Sequence, residues 1–318
     1  MQPRIDDLKN LNKDDYLRAI AEHIVTSCGT PVDWGSSNTV PAAFGLADYD
    51  SPYLYKLDVD KICRLNSENG YALSYPQVAK SARLTNIAVG ISISQMLSIT
   101  VMPSANTSIG DATEYTFKIL VSQASAPASA NLHCYVVAKD FLSDVLNATT
   151  NAGVGYVSVQ IPNSASGPAL LIVFARATFD DRITAYEAYS FAHLAQNPAP
   201  NHTFLKLSPL NYTLTLGMNF QNITIAQAYA FSYAYQANLT LIDAATYGIP
   251  AFLDKSPIIL VLAGLNSTDF FIEWASYPSV PLAFGSSFSG SGKNVFLYIV
   301  TIKETLYELT LSFGDVVE

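Results

Sequence analysis

Apolar residues in the first 27 positions recur at helical spacing. Ile5, Leu8, Leu11, Tyr16, Leu17, Ile20 and Ile24 share one face, which predicts a helix over residues 4–27. Asp14 and Asp15 precede Arg18 at the i+4 and i+3 spacing that supports a helix. Gly29 and Pro31 then end it. A loop follows to about Tyr55. Asp58 is placed to cap a short helix through Arg64, and Ser74, Tyr75 and Pro76 open another over SYPQVAKSARL. The pattern then changes period. Ile87, Val89, Ile91 and Ile93 alternate with small or polar residues, as in a half-buried strand. Further strand-like runs occupy 97–103, 114–123, 130–141, 155–162, 169–178 and 183–194, separated by turn residues such as Asn106, Pro127, Gly153 and Asp180–Asp181. QNPAPN at 196–201 reads as an extended joint. Beyond it lies a second series of strands, with runs at 229–241 and 294–311 long enough to bend or bulge. The aromatics at 229, 231, 233 and 235 fall on one face, read as core or a sheet-packing surface.

These elements predict a mainly β chain with a helical N-terminal part and two consecutive Ig-like β-sandwich domains. The expected divisions are 1–86, 87–196 and 197–318. The longest apolar runs, 169–177 and 258–265, are too short to span a bilayer and suit buried strands. The polar start resembles a chain from which an upstream apolar segment has been removed.

Composition narrows the class. Half of the 318 residues are hydrophobic, enough for full cores, and only 14% are charged. The net charge is −9, with Lys and Arg scattered singly, which disfavours nucleic acid and anionic membrane surfaces as partners. The three cysteines form no CxxC pair, so a zinc ribbon or thioredoxin-like motif is excluded. Cys134, in a strand-like run, reads as a buried free thiol.

Candidate chemistry is sparse. GSSFSGSGK at 285–293 lacks the spacing of a phosphate loop and reads as a hairpin loop. His23, His133, His193 and His202 have no partner at metal-ligand spacing. Asp48, Asp50, Asp58 and Asp60 form the one acidic cluster, whose oxygens offer a Ca²⁺ site, although capping accounts for Asp58 without a metal. No other cofactor is expected. Seven sequons begin at Asn106, Asn147, Asn201, Asn211, Asn222, Asn238 and Asn266, against roughly three expected by chance. All lie in the β-rich part, which suits a glycosylated, outward-facing role. Turn and edge usage of Asn and Thr is the competing explanation.

The segment from Leu17 to Leu65 resembles archaeal cell-surface proteins with a class III, type IV pilin-like signal. The resemblance rests on Pro31, Asp33, Trp34 and Gly35; on Phe44, Gly45, Leu46 and Ala47; on Leu57, Asp58, Asp60, Lys61, Arg64 and Leu65; and on Ser74 with Tyr75. It covers about sixty residues, with looser likeness in the later β runs. It implies an N-terminal membrane tether upstream of this chain and an extracellular, cell-surface location. Cys28 and Cys63 depart from the pattern together, and with that location they become a candidate disulfide. Under this reading the connector is a packed clasp. Trp34 and Phe44 each contribute on the order of 1.5–3 kcal/mol of burial, and Gly35 and Gly45 permit tight turns.

The expected function is therefore a non-enzymatic surface or pilin-like structural or interaction protein. Its partners would be other surface proteins or further copies. One alternative is a carbohydrate- or peptide-binding module using Tyr233, Tyr235, Trp274 and Tyr277 as exposed aromatics. Another is a secreted hydrolase, for which the sequence offers no nucleophile–base or paired-acid signature.

Overall fold

The computed structural model describes residues 3–84, 87–195, 205–208, 213–216, 223–243, 246–251, 254, 256–286 and 294–315. The chain is mainly β with a helical N-terminal part, as the sequence predicts. It forms two compact units. One contains residues 1–94, 208–211 and 278–318; the other contains 95–207 and 212–277.

The first unit begins with helix α1, Pro3–Thr26. Among its described side chains, Leu17, Ala21, Ile24 and Val25 are buried, the i, i+4, i+7, i+8 stripe of an amphipathic helix, whereas Tyr16 is exposed. Helix α2, Val59–Cys63, is capped by Asp58, whose Oδ1 accepts from the N–H groups of Asp60 and Lys61 at 2.9 and 3.1 Å. Helix α3, Tyr75–Ser81, has Pro76 in its first turn, and Gln77 Oε1 accepts from the Ser74 N–H at 2.8 Å.

A five-stranded sheet completes this unit, in the order Lys56–Leu57, Asn294–Ile302, Thr305–Asp315, Ile87–Gln95, Leu282–Gly285. The two chain ends thus share one sheet. Strand Ile87–Gln95, read from sequence as the opening of the first sandwich, pairs antiparallel with Leu282–Gly285. Residues 278–318 fall in the unit of the N-terminal helices rather than in a separate C-terminal sandwich. Period-two alternation shows that a strand exists, not which strand it will pair with. The QNPAPN joint lies outside the described residues.

Among the described residues the second unit holds four sheets: a small one of Leu205–Ser208, Thr213–Leu216, Thr246–Gly248 and Thr240–Asp243, and three that stack. The first of the stacked sheets contains Ser98–Ile109, Ala112–Gln123, Ala126–Pro127 and Val154–Pro162. In Ala112–Gln123, alternate residues from Thr113 to Val121 are buried, as expected of a strand covered on one face. The central sheet contains Ala130–Ala138, Phe141–Leu142, Leu146–Thr149, Gly167–Ala177 and Thr184–His193. The third contains Ile223–Ser232, Tyr235–Asn238, Ile258–Asn266 and Asp269–Tyr277.

One face of the central sheet meets the first sheet through aromatics. Phe191 lies 5.0 Å from Phe117 and 5.3 Å from Tyr115, centroid to centroid. Its other face packs on the third sheet through Tyr135, Ile172, Phe174 and Tyr186 against Phe231, Val261 and Ile272. The central sheet therefore serves both sandwiches. That is why Ala169–Ala175 are buried without alternation.

The two long strand-like runs at 229–241 and 294–311 are hairpins rather than bent strands. One turns at Tyr233–Ala234 and the other at Lys303–Glu304. Lys303 takes the left-handed conformation there, with φ 56°.

Phe174 is fully buried between sheets, with Tyr135 edge-on at 6.3 Å. Phe174→Ala is expected to cost about 3–5 kcal/mol. Phe179→Ala, at a side chain 65% exposed, is expected to change stability by less than about 0.5 kcal/mol. Denaturant midpoints of the two variants check this.

Candidate functional site

The segment from Cys28 to Arg64 that carries the sequence signature closes into a clasp. Trp34 and Phe44 are both buried, with ring centroids 5.7 Å apart. The Trp34 indole N–H donates to the Gly45 carbonyl at 3.0 Å, so the ring's one polar atom is satisfied. Gly45 and Gly35 act through close approach rather than through tight turns. A Cβ on Gly45 would collide with the Ser27 carbonyl oxygen, and one on Gly35 would meet Lys61 at 2.7 Å.

Two cations on α2 and its C-terminal cap hold the clasp from within. The Lys61 side chain is inaccessible to solvent. Its ammonium donates to the Cys28 and Ala47 carbonyls at 3.0 and 2.7 Å, with the Asp58 carboxylate 4.0 Å away. Arg64 donates through Nη1 to the carbonyls of Trp34, Ser37 (2.8 Å) and Thr39 (3.0 Å), and through Nε to Tyr71 (2.8 Å). Both cations also lie near the Trp34 ring, Lys61 Nζ at 5.8 Å and Arg64 Cζ at 5.5 Å from its centroid.

Burial pushes the pKa of Lys61 down, and the Asp58 charge pulls it back. Burial likewise pushes Asp58 up, offset by the N–H of Lys61. The irregular backbone of the loop exposes carbonyls with no ladder partner, and the two cations collect them.

Among the four aspartates, Asp58 caps α2 and Asp60 is buried. Asp48 accepts from the Asp50 N–H at 3.1 Å and lies 3.9 Å from Lys56 Nζ. Among the described residues, no three His, Cys, Asp or Glu side chains gather as a metal-binding group. Of these carboxylates, Asp58 faces the Lys61 ammonium and Asp48 faces that of Lys56.

The disulfide expected between Cys28 and Cys63 is not formed; both are free thiols, as is Cys134. Residue 28 meets α2 through its carbonyl, which takes the Lys61 ammonium. Cys63 faces Ser279 instead, whose hydroxyl donates to Sγ at 3.9 Å. Burial pushes the Cys63 thiol up to about 12 and raises Cys134 as well.

The proposed aromatic platform does not assemble at the surface. Tyr233 and Tyr277 are buried and Trp274 packs against the inter-sheet core, leaving Tyr235 exposed. Tyr233 stacks on His133 at 4.0 Å, and Arg176 stands 3.8 Å from its ring centroid. His193 is likewise interior, bonded to the Tyr115 hydroxyl and the Pro162 carbonyl. The sequon asparagines behave differently. Asn106, Asn147, Asn238 and Asn266 are all exposed, on strands of the three stacked sheets. Asn201, Asn211, Asn222, His202 and residues 287–293 of the glycine-rich loop lie outside the described residues.

The roles of Lys61 and Arg64 were not legible beforehand, although both belong to the signature. The available signal was two cations three residues apart among Val59, Ile62, Cys63 and Leu65. That pattern puts charge on an apolar face.

The thiol environments make a prediction. In native protein near neutral pH, a thiol reagent is expected to modify Cys28, which is half-buried, and to leave Cys63 and Cys134 unreacted. In denaturant all three react. Peptide mapping of the labelled chain checks both counts.

No helix among the described residues is long and apolar enough to cross a membrane. No protein-family model matches the chain, and no curated protein matches it. Among solved structures, HBP35 of Porphyromonas gingivalis is similar at 10% identity over 62% of this chain and 68% of that one. The TM-score of that match is 0.22, too low to bear on fold or role.

Proposed function

We propose that the chain is the exterior-facing part of a non-enzymatic surface protein, structural or interactive in role, tethered through a segment upstream of α1. The observation that carries this reading is the placement of the sequons. All four described sequon asparagines are exposed on β-strands or at their ends. An acceptor asparagine must be reachable and its glycan must project into solvent, which buried or core-facing positions forbid. Low charge on a large β surface fits the same role, because attached sugar keeps such a surface hydrated.

The clasp supports a mechanical function. Its charged groups are bonded to backbone carbonyls and one another, and it fixes the chain following α1 against α2. A pilin-like connector needs that property, since load passing between a tether and an ectodomain runs through this segment. The archaeal class III resemblance belongs to the same proposal, with other surface proteins or further copies as partners.

Protease shaving of intact source cells, followed by glycopeptide mapping, tests the reading. The expected result is release of the protein's peptides from the cell exterior, with sugar on at least some of Asn106, Asn147, Asn238 and Asn266. Protection of the protein until lysis, with all four sites unmodified, would overturn it.

A further inference from the structure

Strand Asn294–Ile302 is an open edge of the terminal sheet. On one side it pairs along its length with Thr305–Asp315. On the other, strand Lys56–Leu57 covers only Thr301 and Ile302. Among the described residues no strand pairs with the free edge of Asn294–Val300. Proteins ordinarily protect such edges with charge, proline or a bulge. Residues 294–302 contain no charged residue, no proline and no glycine.

The side chains of this edge alternate. Phe296 and Tyr298 turn to one face, where Arg18 of α1 stands 5.8 Å from the Phe296 ring and Tyr55 lies 5.8 Å from Tyr298. Val295, Leu297 and Ile299 turn to the other and are 48, 63 and 47% exposed.

We infer that this edge pairs with the same edge of a second copy, antiparallel about a two-fold axis at Leu297. The exposed triplet Val295, Leu297 and Ile299 is centred on Leu297, and Lys56 takes this edge only from Thr301 onward. Antiparallel pairing about that point sets Leu297 opposite its twin and Val295 opposite Ile299, all on one face, and joins two sheets into one. A self-complementary patch is what a two-fold interface requires, and the pairing satisfies backbone groups that the edge leaves open.

Charge agrees. Glu308, opposite Ile299 in the next strand, lies three strand spacings, roughly 14 Å, from its twin's strand, beyond a Debye length of about 8 Å. Two acidic chains can therefore approach here. Three half-exposed aliphatic side chains supply much less than the roughly 800 Å² per partner of a standard stable interface. The dimer is accordingly weak and concentration-dependent. The inference rests on the geometry of this sheet alone and not on the exterior-facing reading, and its test is separate from glycan mapping.

Sedimentation velocity of the full chain from about 1 µM to about 1 mM tests it. The expected result is a monomer–dimer equilibrium that Leu297→Lys weakens at least about tenfold by opposing two charges on the axis. Ile242→Lys, at an exposed position elsewhere, leaves the equilibrium unchanged. In a Cys28→Ser background, Leu297→Cys gives a covalent dimer on mild oxidation and Val295→Cys does not. A monomer at every concentration, association indifferent to Leu297→Lys, or no crosslink through position 297 would overturn the inference.

Discussion

Two buried cations, Lys61 and Arg64, organise the N-terminal unit by collecting backbone carbonyls that no strand or helix uses. Lys61 takes the carbonyls of Cys28 and Ala47, and Arg64 takes those of Trp34, Ser37, Thr39 and Tyr71. An irregular segment can be buried only if its polar backbone is satisfied, and here the partners come from a five-residue helix and its C-terminal cap. The arrangement is mutual. The carbonyls compensate the desolvation of the cations, while the cations fix the loop around Trp34. Removing either side leaves the other buried without partners, at a cost of about 3–5 kcal/mol for a charge of this kind.

The clasp passes its rigidity to neighbouring elements by backbone bonds. The Leu46 N–H donates to Ile24 on α1, the Ala47 N–H to Ser27, and the Asp58 N–H to Leu46. The α1 end, the loop and the capped start of α2 are thus one bonded piece. The stacked sheets of the other unit use a different principle. Their cohesion comes from apolar area and aromatic contacts between layers, with polar interior groups such as His193 and Tyr115 paired to each other.

Periodicity made the elements readable. The α1 stripe, the Asp58 cap, the Ser74–Gln77 turn and most strands of the first sandwich follow from spacing, because those signals are local. Pairing was not readable. Strand Ile87–Gln95 finds its neighbours near the other end of the chain, and alternation contains no address. The long run at 229–241 has the length of one bent strand, yet residues 233 and 234 turn it into a hairpin. Tyr233 and Tyr277 looked available for ligands, since aromatic residues in a strand read alike whether they face solvent or another sheet. The cysteine pairing failed for a related reason. Departure from a pattern at two positions shows nothing about where the side chains point, and Cys63 points to Ser279.

The central claim is that the cations, and not apolar packing alone, keep the connector closed. Amide hydrogen exchange of an Arg64→Met chain, which keeps volume but removes the donors, tests it most directly. The account predicts faster exchange at Thr30, Leu46 and Ala47, whose N–H groups are bonded within or beside the clasp, with protection across Phe117–Val121 unchanged. Equal protection of the connector in both chains would contradict it.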